Sequence, residues 1–351
     1  MDFTHNVIVN YTSELPLEGD SPKITIESHS EETFKVDFID VDKRDVVKSI
    51  KTKSNTTITG GRQWYTNWLI NVYDESDKLI HIETFNLCGK KVFIKFDSYA
   101  LGDSIAWIPY IEEFRKKHNC TVICSTFYNY IFEKSYPEIL FVEPNIKIKN
   151  IYAQYYIGAC LENNFSYSPV NASVRPLQES SSLFLGLEPR ELVPDLTKSF
   201  NKNEAPKIRG KYVCISEYAS DDKKMWKEPN GWRKIVKFLK NKGYIVVSIS
   251  KEPTKLEGVI DLSGDLNLKE RMLDLYHADF FIGVSSGLSW LSWSVGTHVF
   301  MISDTTPYWY EFKNGVTRFC SKNIDKINYS NNVPTKSDDV LEYINKFIEK
   351  S

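Results

Sequence analysis

No run of the 351-residue sequence approaches the roughly 18 uninterrupted apolar residues that a membrane-crossing helix needs, so membrane insertion is not expected. Met1-Asp-Phe-Thr-His-Asn6 lacks the basic and apolar regions of a secretory leader, and the expected compartment is the cytoplasm. Charge of one sign is equally scarce. With 44 Lys and Arg against 46 Asp and Glu the net charge is −2, which gives no field to gather nucleic acid or an anionic surface. A nucleic-acid partner is therefore not expected. Cysteine is sparse and scattered: the six thiols, at 88, 120, 124, 160, 214 and 320, form no C-x-x-C pair. In a cytosolic chain they read as buried free thiols, not as disulfides or a metal cage.

Aromatic residues are plentiful, with 20 Tyr, 20 Phe and 8 Trp, and the apolar fraction of 42% belongs to an ordinary globular protein long enough for two or three cores. Residues 1–88 carry short runs of alternating apolar and polar residues at 23–27, 33–39, 56–59, 68–73 and 79–83. Turn signals at Asn55, Gly60-Gly61 and Asp74-Glu-Ser-Asp-Lys78 separate some of them. That pattern predicts an antiparallel β domain with one wet face, a small sandwich or an open barrel. In it, Arg62, Trp64 and Tyr65 read as packing or interface residues as readily as acceptor contacts.

From Lys90 the period changes. Apolar strands at 91–96, 121–124 and 139–142 alternate with helices at 104–117 and 127–134, the signature of a parallel sheet with crossovers over residues 89–200. Residues 152–168 read as loops facing a cleft, and 197–211 as a linker. A second such unit spans 201–335: strands at 212–216, 244–249, 280–284 and 299–302, helices at 232–242, 268–277 and 288–295, with Asn267 as an N-cap and Gly243 as a C-cap glycine. A closing helix is expected in residues 336–351. The fold class is thus α/β, two Rossmann-like halves behind a small β domain.

Three constellations could carry chemistry. Asp97-Ser-Tyr-Ala-Leu-Gly-Asp103 ends a buried strand, at the edge of an open sheet where ligands bind. Gly102 lets backbone approach a ligand and Ser104 extends the loop. Asp103 is either an ordinary helix N-cap or a cleft-facing carboxylate able to take a proton from an acceptor hydroxyl. Ser285-Ser286-Gly287-Leu288 stands between a strand and a helix, where free N–H groups suit a diphosphate, though simple capping explains it too. Lys223-Lys224, beside Trp226, reads as a solvated charge pair or as a neutraliser of a leaving group.

Taken together, Gly102-Asp103-Ser104, Lys224-Met-Trp226 with Pro229-Asn-Gly-Trp-Arg233, and Ala278-Asp-Phe-Phe-Ile-Gly-Val-Ser-Ser-Gly-Leu-Ser-Trp-Leu-Ser-Trp293 resemble the bacterial autotransporter heptosyltransferases of glycosyltransferase family 9. The resemblance covers about 90–312. It implies a GT-B architecture, no cofactor, no catalytic metal, and inverting transfer from ADP-heptose or a related nucleotide sugar to Ser or Thr of an adhesin-like protein. It also implies Asp103 as catalytic base, Lys224 on the donor phosphates and Ser285, Ser286, Gly287 and Leu288 as the donor loop, with Gly102, Ser104 and Trp226 in support. Ser285 and Trp290 stand where the lipopolysaccharide enzymes usually have Asp and His, which favours the autotransporter branch. That branch carries a four-cysteine iron finger, whereas residues 313–332 here hold only Cys320. No structural iron is therefore expected, and homo-oligomerisation is left open. Competing readings are transfer of another nucleotide-linked sugar to glycan or lipid, and a catalytically silent, lectin-like module.

Overall fold

Alternating burial in the first ninety residues folds into two antiparallel sheets. In this computed structural model, which describes residues 5–11, 21–159, 164–264, 267–320 and 333–350, the strands are β1 (Asn6–Asn10), β2 (Lys23–Glu27), β3 (Thr33–Asp40), β4 (Asp45–Lys53), β5 (Thr57–Thr59), β6 (Trp68–Tyr73) and β7 (Leu79–Thr84). One sheet has the order β1-β2-β5 and the other β4-β3-β6-β7. Ile24, Ile26 and Ile58 of the first share a core with Phe34, Val36, Phe38, Ile70 and Val72 of the second, which is the sandwich form of the expectation. Each such side chain contributes about 1.5–3 kcal/mol by leaving water. Strand β4 was not expected. It is an edge strand whose exposed Lys51 and Lys53 obscure the apolar alternation and guard the edge against further pairing.

The first parallel sheet is built from β8 (Lys91–Phe96), β9 (Thr121–Ser125), β10 (Leu140–Phe141) and β11 (Ala153–Ile157), with helices α1 (Leu101–His118), α2 (Asn129–Phe132) and α3 (Leu177–Phe184). Its order is β10-β9-β8-β11, so the chain reverses direction across the sheet between β8 and β11. Two expectations are corrected here. Residues 153–157 are a strand and not a cleft loop, because Ala153, Tyr155 and Ile157 are buried in the core alongside β8. Helix α1 also starts three residues earlier than expected, with Ala100 at its N-cap and no side-chain cap.

The second parallel sheet comprises β12 (Tyr212–Ser216), β13 (Ile245–Ser248), β14 (Ile260–Asp261), β15 (Phe281–Val284), β16 (Val299–Ile302) and β17 (Val316–Phe319). Helices α4 (Gly231–Asn241), α5 (Leu268–Tyr276), α6 (Gly287–Ser294) and α7 (Ser337–Ile348) accompany it. The order β14-β13-β12-β15-β16-β17 is that of a doubly wound nucleotide-binding sheet, with its switch point between β12 and β15. Strands β12, β15 and β16 are buried along their whole length, which explains their uninterrupted apolar sequences. Asn267 caps α5 as read, its Oδ1 accepting the amide of Lys269 at 2.9 Å.

The two parallel sheets meet where α1 packs on α6. A Cβ at Gly102 would lie 2.9 Å from Cδ1 of Trp290, and one at Gly287 would lie 2.9 Å from Cβ of Leu101. A glycine on each helix lets the two first turns touch. The carboxyl end of β8 and the switch point of the second sheet thereby open onto one cleft.

Candidate active site

The loop leaving β8 turns back on itself at Ser98. Its hydroxyl accepts the amide of Ala100 at 3.1 Å and donates to Oδ2 of Asp103 at 2.7 Å. Asp103 lies in the first turn of α1, one residue past Gly102, and caps nothing. Burial pushes its carboxyl above the usual carboxylate range, against the opposing pulls of the Ser98 hydroxyl and the Lys224 charge. A part-buried carboxylate with a raised affinity for protons, facing a cleft, has the profile of a general base.

Lys224 comes from the opposite wall. It ends a short 3-10 turn, Asp222–Lys224, which Asp221 starts by accepting the amide of Lys223 on its side chain at 3.0 Å. The acidic pair Asp221-Asp222 forms this turn. The side chain of Lys224 forms no hydrogen bond or ion pair among the described residues, which leaves its ammonium available to a ligand. Trp226 anchors this loop from behind. Its indole N–H donates to the carbonyl of Thr335 at 2.8 Å and its ring covers Gly231.

The donor-type loop follows β15. Ser286 takes the N-cap position of α6 in extended backbone without capping it, and its Oγ is buried with no partner. The amides of Gly287 and Leu288 have no acceptor among the described residues, the state of any first helical turn open to a ligand. Ser285 points the other way. Its hydroxyl donates to Glu311, which also accepts from Thr306 Oγ1 at 3.0 Å and is ion-paired with Arg318. Arg318 reaches on to the carbonyl of Pro307 at 3.1 Å. This buried network holds the loop from beneath.

Gly102, Asp103, Lys224, Ser285, Ser286, Gly287 and Leu288 line one cavity of about 330 Å³. Two sequence-predicted residues do not. Ser104 is fully buried inside the fold, and Trp226 acts as the anchor just described. The same cavity takes in Tyr99, which lies in the quoted Asp97–Asp103 stretch but was given no role, and residues that no motif pointed to: Tyr128, Tyr218, Lys251, Glu252, Tyr310 and Glu311. Of these only Glu252 had a readable signal, an acid just after the second strand of a nucleotide-binding sheet, where ribose hydroxyls are held in such folds.

A larger cavity, about 730 Å³, opens elsewhere, around Trp64, Tyr65 and His118. It holds none of the residues named for the chemistry. Arg62 is engaged there with Asp40 at 2.7 Å and lies over the Trp64 ring, a packing role. The chain's one Asp-x-Asp triplet, Asp40-Val41-Asp42, borders this second cavity, with Asp42 accepting from Asn67 at 2.8 Å.

Comparison with known proteins gives the same architecture. The profile of Glycosyltransferase family 9 (heptosyltransferase) matches residues 175–308. Autotransporter heptosyltransferase Aah of Escherichia coli is 33% identical over 281 residues, covering 76% of this chain and 71% of that protein. An inactive autotransporter heptosyltransferase, BimC of Burkholderia thailandensis, is 31% identical over 267 residues, or 73% of this chain and 62% of the relative. The crystal structure of TibC, described as a dodecameric iron-containing heptosyltransferase in complex with ADP-D-beta-D-heptose, superposes with a TM-score of 0.84 at 23% identity, covering 100% of this chain and 97% of that one. The fold is that of the GT-B heptosyltransferases, and the chain belongs to the autotransporter heptosyltransferases of glycosyltransferase family 9.

Proposed function

We propose that this heptosyltransferase moves heptose from ADP-heptose to a serine or threonine hydroxyl of an adhesin-like protein by a single inverting displacement. Residues 89–200 present the acceptor and residues 201–335 hold the donor. The observation that carries the reading is the shared cavity: Asp103 on one wall, and Lys224 with the open first turn of α6 on the other. Asp103 takes the hydroxyl proton as the acceptor oxygen attacks the anomeric carbon, and the bond to the diphosphate breaks with its electrons leaving on ADP. Lys224, the amides of Gly287 and Leu288, and the hydroxyl of Ser286 meet the charge that develops there. Glu252 is placed to accept from the ribose hydroxyls.

TibC's iron is not carried over to this chain. Residues 313–332 contain one thiol, Cys320, and among the described residues no group of three His, Cys, Asp or Glu could hold a metal ion. One thiol does not make an iron site. A homo-oligomer is proposed by analogy with the TibC dodecamer. Among the described residues no helix is long and apolar enough to cross a membrane.

The test is to incubate the purified protein with ADP-heptose and a Ser/Thr-rich adhesin fragment, then read the fragment by mass spectrometry and the new linkage by NMR. Heptose on Ser or Thr with inverted anomeric configuration is expected. Retained configuration would remove the single displacement. Turnover onto glycan or lipid alone would favour the second reading. No donor turnover at all would place the chain beside its inactive relative.

A further inference from the structure

The lip of the cleft on the Asp103 side is aromatic and unusually well braced. Tyr99 is 78% exposed, yet its ring is not loose: it stacks on Phe127 with centroids 3.9 Å apart and planes 24° from parallel. The hydroxyl of Tyr128 donates to the backbone carbonyl of Tyr99 at 2.7 Å, so two neighbouring rings grip the same residue. The segment carrying those rings is itself fixed. Asn129, nearly buried, accepts the amide and the hydroxyl of Thr126, each at 2.9 Å, and donates to the carbonyl of Val142 at 2.7 Å, while the amide of Tyr128 donates to Thr126 Oγ1 at 3.0 Å.

A large aromatic side chain left mostly in water contributes little to the fold, and the bracing holds it in one pose with one face on Phe127 and the other open. Tyr99 and Tyr128 line the same cavity as Asp103, on the wall opposite Lys224 and Ser286. An acceptor that brings its hydroxyl to Asp103 enters the cavity this ring lines.

We infer that Tyr99 is a specificity-determining residue that receives the acceptor polypeptide, its open ring face packing against the main chain and small side chains flanking the target Ser or Thr. The inference rests on the protein-acceptor reading above. A flat, pre-ordered ring suits an extended, sequence-tolerant segment: it offers contact area at little cost in side-chain freedom and asks for no particular partner.

The experiment uses the full chain with ADP-heptose and the Ser/Thr-rich adhesin fragment, comparing Tyr99→Ala, Tyr99→Phe and Phe127→Ala. Tyr99→Ala is expected to raise KM for the fragment about tenfold, the size of losing one aromatic anchor. Tyr99→Phe keeps the ring and is expected to restore the wild-type KM. Phe127→Ala, which removes the brace and leaves Tyr99 in place, is expected to raise KM in the same direction. Calorimetry with ADP-heptose separates donor from acceptor. If donor affinity falls in step with acceptor KM in Tyr99→Ala, the ring serves the donor and the inference is overturned. An unchanged acceptor KM in Tyr99→Ala overturns it as well. If the wild-type protein modifies no polypeptide, the acceptor reading fails first and takes this inference with it; a fragment still modified by Tyr99→Ala at normal KM removes Tyr99 alone.

Discussion

Replacing Asp103 by Asn separates chemistry from architecture, because the structure assigns the two effects opposite signs. The Asn variant cannot take a proton from the acceptor, so transfer is expected to fall about 10²–10⁴-fold, the usual weight of a positioned general base. Stability works out differently. Asp103 does not cap α1, and its one side-chain hydrogen bond, from Ser98, can also be accepted by the carbonyl of Asn. Losing an acid from a first helical turn costs about 0.3–1 kcal/mol through the helix dipole. Against that stands desolvation of the carboxylate, which outweighs the attractions of Ser98 and Lys224, since the group's proton affinity is raised in the folded state. A folded pKa above the unfolded one means that the native state binds the proton more readily, so the ionised group lowers stability at every pH above the folded pKa. Acidification through the interval between the two pKa values relieves that cost. The Asn variant should therefore melt at or above the wild-type temperature at pH 7, with the difference shrinking on acidification. Wild-type transfer should decline on the acid side at a pH above that of an ordinary Asp. Turnover, calorimetric melting at several pH values and a pH–rate profile read all three. An Asn variant that transfers at near the wild-type rate would remove Asp103 from the mechanism, and one that melts far below the wild type would show that burial was not the dominant influence on this carboxyl.

Lys224→Ala should weaken ADP-heptose binding in calorimetry without lowering the melting temperature, because the Lys224 side chain forms no hydrogen bond or ion pair among the described residues; unchanged affinity would take it out of the donor site. Arg318→Leu should destabilise the fold by about 3–5 kcal/mol, since it strands Glu311 as a buried charge, and chemical denaturation that shows no loss would contradict the buried pair. Transfer should be unaffected by EDTA, because protein groups alone are assigned to the leaving diphosphate. Loss of activity restored by magnesium or manganese would refute that, and iron in stoichiometric amount would refute the single-thiol argument at Cys320.

Much of the frame was legible because burial on both faces leaves a plain trace. Strands β12 and β16 are runs of consecutive buried residues, almost all apolar, and their limits, like those of β8, were read correctly. Three edge strands left no such trace: β11 mixes Gln154 with two tyrosines, β4 carries lysines to solvent, and β14 has only two residues. At the site, position at the ends of buried strands singled out the loops and the family resemblance chose among the readings of their residues; Asp103, Lys224 and Ser285 to Leu288 all reach one cavity. Ser104 was misjudged because helix α1 begins before it, turning its side chain into the core. Glu311 and Arg318 could not be anticipated. Glu311 meets Ser285, and Arg318 on β17 meets Glu311, only through long-range pairing of the fold, and nothing in their neighbours marks them.

The contact between the first turns of α1 and α6 bears on how the enzyme moves. Gly102 against Trp290 and Gly287 against Leu101 place the turn proposed to carry the base directly on the turn proposed to receive the diphosphate. With those proposed roles, the span from proton acceptor to leaving group is held by each glycine packing against a side chain of the other helix, much as a pivot pin fixes the distance between two jaws. In the protein-acceptor reading proposed above, any opening of the halves to admit a polypeptide would swing about this pin. The reactive geometry is thus kept between turnovers instead of being rebuilt in each one.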